Sequence, residues 1–468
     1  MVDSGITPAR RLWLSAPVVI ILVAIVARAL VVAADTGYRP QNDALEYDYI
    51  ARSIAAGNGY PPSGYLLQGG PTAVRGPAYP FLLGTVYALS DDSTLAGRLL
   101  NVLIGASIVA LLFLVCKRIW GRRVALVAAA LAAVFPPLVL LSRDLVSESL
   151  FIALELAAVL CVLEFRRSGA LLRWAATAGL ACGLAVLTRP TAYAVLLAIL
   201  VGVWIQRPRL RLRALAAPVL CLACAVVVTV PWIVRDAVEF GRFVPVTTSA
   251  GIATSGTYNE VARDKGAEPG AWIDPQIVPR FRPLFETPGL DEAEVDSTLS
   301  RDARQFAWEN PGYVAETVAW NLLRLFEVEG GSVVNLRAEA IYDRGIGSAL
   351  PLSERVGLAL AVLLGAVGLF TVLGPWSRDV SGRRTVPRGP LFFWLVPIGV
   401  TVVTLPVAGL PRYRLPLDPF ILTLTAIGLL ALWDRRPSAA RTSVRTCLKT
   451  RVCDWRGPDR AWQGRKEA

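Results

Sequence analysis

Long apolar runs set the pattern of this chain. Runs near 12–34, 95–116, 124–141, 147–165, 172–188, 190–206, 213–233, 353–374, 389–409 and 415–433 reach or approach membrane length, which takes roughly 20 residues. A shorter stretch, Pro77–Leu89, predicts an interfacial or re-entrant helix rather than a span. Between runs, residues 44–56 put Tyr47, Ile50, Ala51 and Ile54 on one helical face. They end in Gly57-Asn58-Gly59, a helix stop. The pattern predicts an all-α polytopic membrane protein with about ten transmembrane helices, interfacial helices in its first external loop and a small external helical region.

Charge orients the spans. Basic clusters lie at Arg10-Arg11, 117–123, 166–173, 207–213, 378–388 and in the tail from Arg435. If 77–89 does not cross, all of them fall on one side, which the positive-inside rule makes cytoplasmic, with both termini there. The chain then divides into an N-terminal membrane module at 1–233 with its external loop at 35–94, an external region at 234–352, C-terminal helices at 353–433 and a basic cytoplasmic tail at 434–468. Helical patterns within the external region lie near 291–309 and 311–327, parted at Asn310-Pro311.

Composition narrows the chemistry. Hydrophobic residues make up 54% and charged residues 18%, with a mean hydropathy of +0.51. The net charge of +12 sits in short clusters between apolar runs, so membrane topology accounts for it and nucleic acid is not an expected partner. The 0 histidines remove His triads, His bases and His metal sites. Acid–base work falls to Asp, Glu, Tyr or Lys. Of the 7 cysteines, five lie in apolar runs and Cys447 and Cys453 in the tail; Cys221 and Cys224 read as buried thiols, and no structural disulfide is expected.

Several charges break the orientation pattern. Arg75, Arg143, Arg189, Arg235, Arg412 and Arg414 lie at or near external span ends. Each alone could be a snorkelling interfacial arginine. Together they would suit an anion such as a phosphate. Asp43, Glu46, Asp48, Asp144 and Glu148 share that face, and carboxylates at membrane depth beside arginines are candidates for function. The bland readings remain open: Asp43 with Glu46 fits a capping box, Arg75-Gly76-Pro77 a loop entering a helix, Glu148 a helix-dipole partner, and Arg189-Pro190 a turn.

Six stretches in order resemble the GT-C superfamily of integral-membrane glycosyltransferases, in the branch of bacterial protein O-mannosyltransferase and lipid A aminoarabinose transferase relatives. They are NDALEYDYIARSIAAGNGY, VRGPAYPFLLG, FPPLVLLSRDLVSESLFIAL, GLACGLAVLTRPTAY, VPWIVRDAVEFGRFVPVTTSAGIATSGTYN and GLPRYRLPLDPFI. The resemblance implies a GT-C helical bundle in a bacterial cell membrane. It also implies inverting transfer of a sugar from a polyprenyl-monophosphate donor to an acceptor hydroxyl on a protein, lipid or cell-wall glycan at the external face. Asp43 would be the general base and Glu148 would position the acceptor or the sugar. Arg75 would hold the donor phosphate, with Arg189, Arg412 and Arg414 adding contacts. Glu46, Tyr47 and Asp48 are further first-loop candidates. No cofactor is required; a divalent cation at Asp43 and Glu148 is compatible.

The chain departs from the mannosyltransferases in two places. Asn42 precedes Asp43 where an acid pair is usual, and Arg75-Gly76-Pro77 replaces His-Pro-Pro. A transporter or flippase of lipid-linked sugars is the alternative, and predicts charges deep inside spans.

Overall fold

The computed structural model describes residues 8–64, 67, 69–204, 212–264, 270–328, 349–374, 386–407 and 409–435. Among them there are helices and turns and no strand. The basic tail and most of the clusters at 207–213 and 378–388 lie outside the described residues.

Each apolar run is helical. α1 (Pro8–Ala34), α2 (Asp43–Ala55), α3 (Ala78–Ser90) and α4 (Thr94–Trp120) open the chain. α5 (Arg122–Val134), α6 (Pro136–Leu140), α7 (Glu148–Arg167), α8 (Leu172–Val186), α9 (Ala192–Trp204) and α10 (Leu212–Phe240) follow. The segment after α10 carries α11 (Ala250–Ser255), α12 (Glu260–Asp264), α13 (Arg282–Glu286), α14 (Glu292–Glu309) and α15 (Pro311–Leu325). α16 (Ala349–Leu373), α17 (Leu391–Thr404) and α18 (Asp418–Asp434) complete the set.

Length separates these helices. Among the described residues, 5 are long and apolar enough to cross a membrane, or up to 6 if the pair 122–134 and 136–143, bent by 57°, counts as one span. The sequence pattern predicted about ten. α8, α9 and α17 are apolar but only 15, 13 and 14 residues long, a rise of about 20 Å against a hydrocarbon core of about 30 Å. α7 has 20 residues, but Glu148, Glu155, Glu164, Arg166 and Arg167 dilute its apolar character.

The bend has a visible cause. Phe135 is extended before Pro136, so α5 ends there and frees its last carbonyls. Fully buried Arg28 of α1 donates to the Ala132 and Ala133 carbonyls at 3.3 and 3.1 Å. α4 makes room at Gly105, where a Cβ would lie 2.5 Å from Arg28 Nε. A buried charge thus satisfies a broken helix that water cannot reach.

α4 packs on α1, α5 and α7, α8 on α7 and α10, α9 on α17, and α16 on α18. Above them α14 begins with a full capping box, Asp291 with Glu294. Asn310-Pro311 separates it from α15, as the sequence predicts. At the same end meet the start of α2, the 72–77 segment, the start of α7, the 187–191 turn and the 3-10 turn Pro411–Leu417.

Candidate active site

The site is built from three arginines and three acids carried by five separate segments. Asp43 and Glu46 lie one turn apart on the first turn of α2, so both face the 72–77 segment. Arg75 answers both: Nη2 donates to Asp43 Oδ1 at 2.5 Å and Nε to Glu46 Oε2 at 2.6 Å. The Tyr47 ring lies 5.5 Å from the Arg75 guanidinium, and its hydroxyl donates to Ser147 Oγ at 2.9 Å.

Glu148 opens α7 and is 2% exposed. Its Oε1 accepts from Arg412 Nε at 2.9 Å and forms ion pairs with Arg189 Nη1 at 2.9 Å and Arg412 Nη2 at 2.7 Å. Arg412 Nη2 also reaches Asp43 Oδ2 at 2.5 Å. One guanidinium therefore joins the carboxylates of α2 and α7. The Tyr413 ring lies 5.5 Å from Arg189 and 5.8 Å from Arg412. Glu148 Oε2 is buried and has no hydrogen-bond partner among the described residues, so it keeps an acceptor for a hydroxyl.

Backbone fit aims Arg75. A Cβ at Gly76 would lie 2.4 Å from the Leu187 carbonyl oxygen, so only glycine lets this segment pass the end of α8. The Ala78 N–H donates to that oxygen at 3.1 Å, and the Tyr60 hydroxyl donates to the Arg75 carbonyl at 2.6 Å.

The capping reading of Asp43 does not hold. Asn42 occupies the N-cap position at φ 50 with no side-chain cap, and Asp43 is the first helical residue. Two guanidiniums offer its carboxylate charge-assisted bonds stronger than one backbone N–H offers. Burial pushes Asp43 upward, but Arg412 and Arg75 outweigh it and hold the carboxyl below the usual carboxylate range. For Glu46 burial prevails over the opposing Arg75 and the shift is upward.

Other predicted residues lie apart from this cluster. Asp48 points away along α2 to Arg52 Nε at 2.8 Å and the Tyr87 hydroxyl at 2.6 Å. Arg414 is enclosed, pairing with Asp418 at 3.0 Å and Glu327 at 2.8 Å. Two residues beyond Arg412 on a 3-10 turn, it faces the bundle and locks the loop rather than the cluster. Arg143 pairs with Asp35 at 3.1 Å. Arg235 pairs with Asp236 at 3.0 Å beside the Tyr60 and Trp232 rings. Ser147 and Tyr413 join the site although no charge pattern singled them out.

A divalent cation at Asp43 and Glu148 would have to displace Arg412. Arg412 stands between Asp43 and Glu148, where a bridging ion would sit. Among the described residues no group of ≥ 3 His, Cys, Asp or Glu could hold a metal.

Comparison with known proteins agrees with this architecture. Residues 74–234 match the family model described as dolichyl-phosphate-mannose-protein mannosyltransferase. The apo oligosaccharyltransferase of Archaeoglobus fulgidus superposes with a TM-score of 0.55 at 14% identity, over 93% of this chain and 52% of that one. The same organism's oligosaccharyltransferase AglB, solved with an inhibitory peptide and a dolichol-phosphate, gives 0.50 at 14% identity, over 95% and 52%. ArnT from Cupriavidus metallidurans, bound to undecaprenyl phosphate, gives 0.43 at 17% identity, over 94% and 81%. The chain spans about half the length of the oligosaccharyltransferases it matches. A stretch of 51 residues is 43% identical to a Vibrio cholerae riboflavin transporter, but covers 10% of this chain and 17% of the transporter. The chain shares its fold with the Archaeoglobus fulgidus oligosaccharyltransferase, and its residues 74–234 carry the sequence pattern of the mannosyltransferase family model.

Proposed function

We propose that this protein is an inverting glycosyltransferase acting at the external face of a bacterial cell membrane, with both termini cytoplasmic. It moves a sugar from a polyprenyl-monophosphate donor to an acceptor hydroxyl. One observation carries the reading: Arg412 is shared between Asp43 and Glu148 while Arg75 and Arg189 flank the same two acids.

The chemistry needs a base and a held leaving group. Asp43 takes the acceptor proton as the acceptor oxygen bonds to the anomeric carbon. The bond from that carbon to the phosphate oxygen breaks, and its electron pair leaves with the polyprenyl phosphate. Attack opposite the departing phosphate inverts the centre. Arg75, Arg189 and Arg412 stabilise the charge that grows on the phosphate. Glu148 keeps Arg189 and Arg412 aimed and offers Oε2 to a hydroxyl of the sugar or acceptor. A positioned base contributes about 10²–10⁴ in rate.

The resting site is self-neutralised, with three arginines against three acids. A donor phosphate competes with Asp43 for Arg75 and Arg412. Donor binding thereby strips partners from the carboxylate and makes it a better base when the acceptor arrives.

The test is transfer in vesicles containing the purified protein, a polyprenyl-monophosphate sugar and candidate glycan, lipid or peptide acceptors. Glycosylated acceptor with stoichiometric release of polyprenyl phosphate is expected. The transporter reading has one observation in its favour: Glu155 of α7 is fully buried and neither carboxyl oxygen has a partner among the described residues. Translocation of intact lipid-linked sugar without bond cleavage would favour that reading and sink the transferase.

A further inference from the structure

We infer that Glu292, at the start of the external helix α14, is a positioning residue that sets the donor-phosphate arginine Arg75 through a four-bond clasp tying the Thr72 hydroxyl and the Ala73 N–H to Ser63 and Thr248. This rests on the proposed transfer reading.

Glu292 is a carboxylate 1% exposed, with no arginine or lysine paired to it among the described residues. Burying such a charge is costly unless hydrogen bonds replace water. Here they do. Oε2 accepts from Thr72 Oγ1 at 3.0 Å, the Ala73 N–H at 3.1 Å and Thr248 Oγ1 at 2.9 Å. Oε1 accepts from the Ser63 hydroxyl. Two further bonds fix the same segment: the Thr248 N–H donates to the Ala73 carbonyl at 3.0 Å, and Arg235 Nη1 to the Thr72 carbonyl at 2.8 Å. Ala73 is fully buried, two residues before Arg75. Gly76, one residue after Arg75, is pressed on the Leu187 carbonyl. The arginine therefore has little freedom of its own: its backbone is gripped from the external layer on one side and from α8 on the other.

The same layer grips the loop that leads to Arg412. The Thr257 and Tyr258 hydroxyls donate to the Val407 and Pro406 carbonyls at 2.7 and 2.5 Å, and Asn321 Nδ2 to the Leu405 carbonyl at 2.9 Å. The external segment is thus a brace across the two loops that supply Arg75 and Arg412. A pre-aimed guanidinium spends less on ordering when phosphate binds.

The test is binding of polyprenyl monophosphate to the full-length protein in detergent, with thermal melts for every variant. Glu292→Gln keeps the size but turns acceptor lone pairs into donors, so the clasp loosens. It should weaken binding about tenfold, and Thr248→Val, which removes one bond, should weaken it less. Arg75→Gln should weaken binding at least as much as Glu292→Gln. The Arg75→Gln/Glu292→Gln pair should bind no worse than Arg75→Gln alone, because Glu292 acts through Arg75. Val295→Ala, in the buried external core, is the control: it should lower the melting temperature without weakening binding. Additive losses in the double variant, or equal weakening by Val295→Ala, would overturn the positioning role. If Arg75→Gln itself binds normally, the donor-site reading fails instead.

Discussion

Removing Arg412 tests how the site is wired. Arg412→Ala deletes the Nε hydrogen bond and the Nη2 ion pair to Glu148, at 2.9 and 2.7 Å, and the ion pair to Asp43 at 2.5 Å. Glu148 would keep Arg189, and Asp43 would keep Arg75. Stranding a buried charge costs about 3–5 kcal/mol, but each acid retains one partner, so about 2 kcal/mol of stability should go. A hydrogen bond to a charged group contributes about 1.5–3 kcal/mol, so the donor KM should rise about 10–100-fold. Arg412→Lys should fall between, since a point charge reaches one carboxylate but cannot bridge two. The assay is initial transfer rate against donor concentration, paired with thermal melts. Arg414→Ala is the control. Its side chain is 1% exposed and held by Glu327 and Asp418, so it should lower the melting temperature and raise the donor KM far less than Arg412→Ala does. Wild-type donor KM in Arg412→Ala, or equal KM increases in both variants, would refute the wiring.

Two further predictions follow from Asp43 and Gly76. Asp43 has its folded pKa lowered, so its contribution to stability is present above the usual carboxylate pKa of about 4 and is lost as pH falls through the lower folded value. Because the bound phosphate draws Arg75 and Arg412 away, the acid limb of kcat should lie at higher pH than the acid limb of kcat/KM. Coincident limbs would contradict competition between phosphate and Asp43. Gly76→Ala places a methyl 2.4 Å from the Leu187 carbonyl oxygen. It should cost about 1–3 kcal/mol and lower transfer by shifting Arg75; wild-type melting and turnover would show that the segment yields freely.

Much of this molecule is legible in its hydrophobic pattern. Period and run length give helices at each apolar run, the short α3, and the break at Asn310-Pro311. The pattern predicts about ten crossings, while among the described residues 5 helices, or up to 6, are long and apolar enough for one. α8, α9 and α17 are short helices among neighbours, and after α8 and α17 the apolar run continues into turns at 187–188 and 405–407 without lengthening the helix. The site divides similarly. Arg75, Arg189, Arg412, Asp43 and Glu148 stand out as charges at span ends, and they converge. Asp48 and Arg414 carry the same signal but turn to other partners, because one or two residues along a helical turn change the facing side. Arg28 and Glu155 show the opposite failure: charges buried within helices, hidden among apolar neighbours. Glu292 gives no local sign at all, since its partners Ser63, Thr72 and Thr248 are far away in sequence.

The central claim is that Asp43 takes the acceptor proton while the arginines hold the phosphate. Asp43→Asn keeps the shape of the side chain and removes its basicity. Measured side by side in the purified protein, this variant should bind polyprenyl monophosphate at least as tightly as wild type, because a competitor for Arg75 and Arg412 is gone. Its turnover should fall by about 10²–10⁴. Turnover at the wild-type rate with normal binding would contradict the assignment of Asp43 as the base.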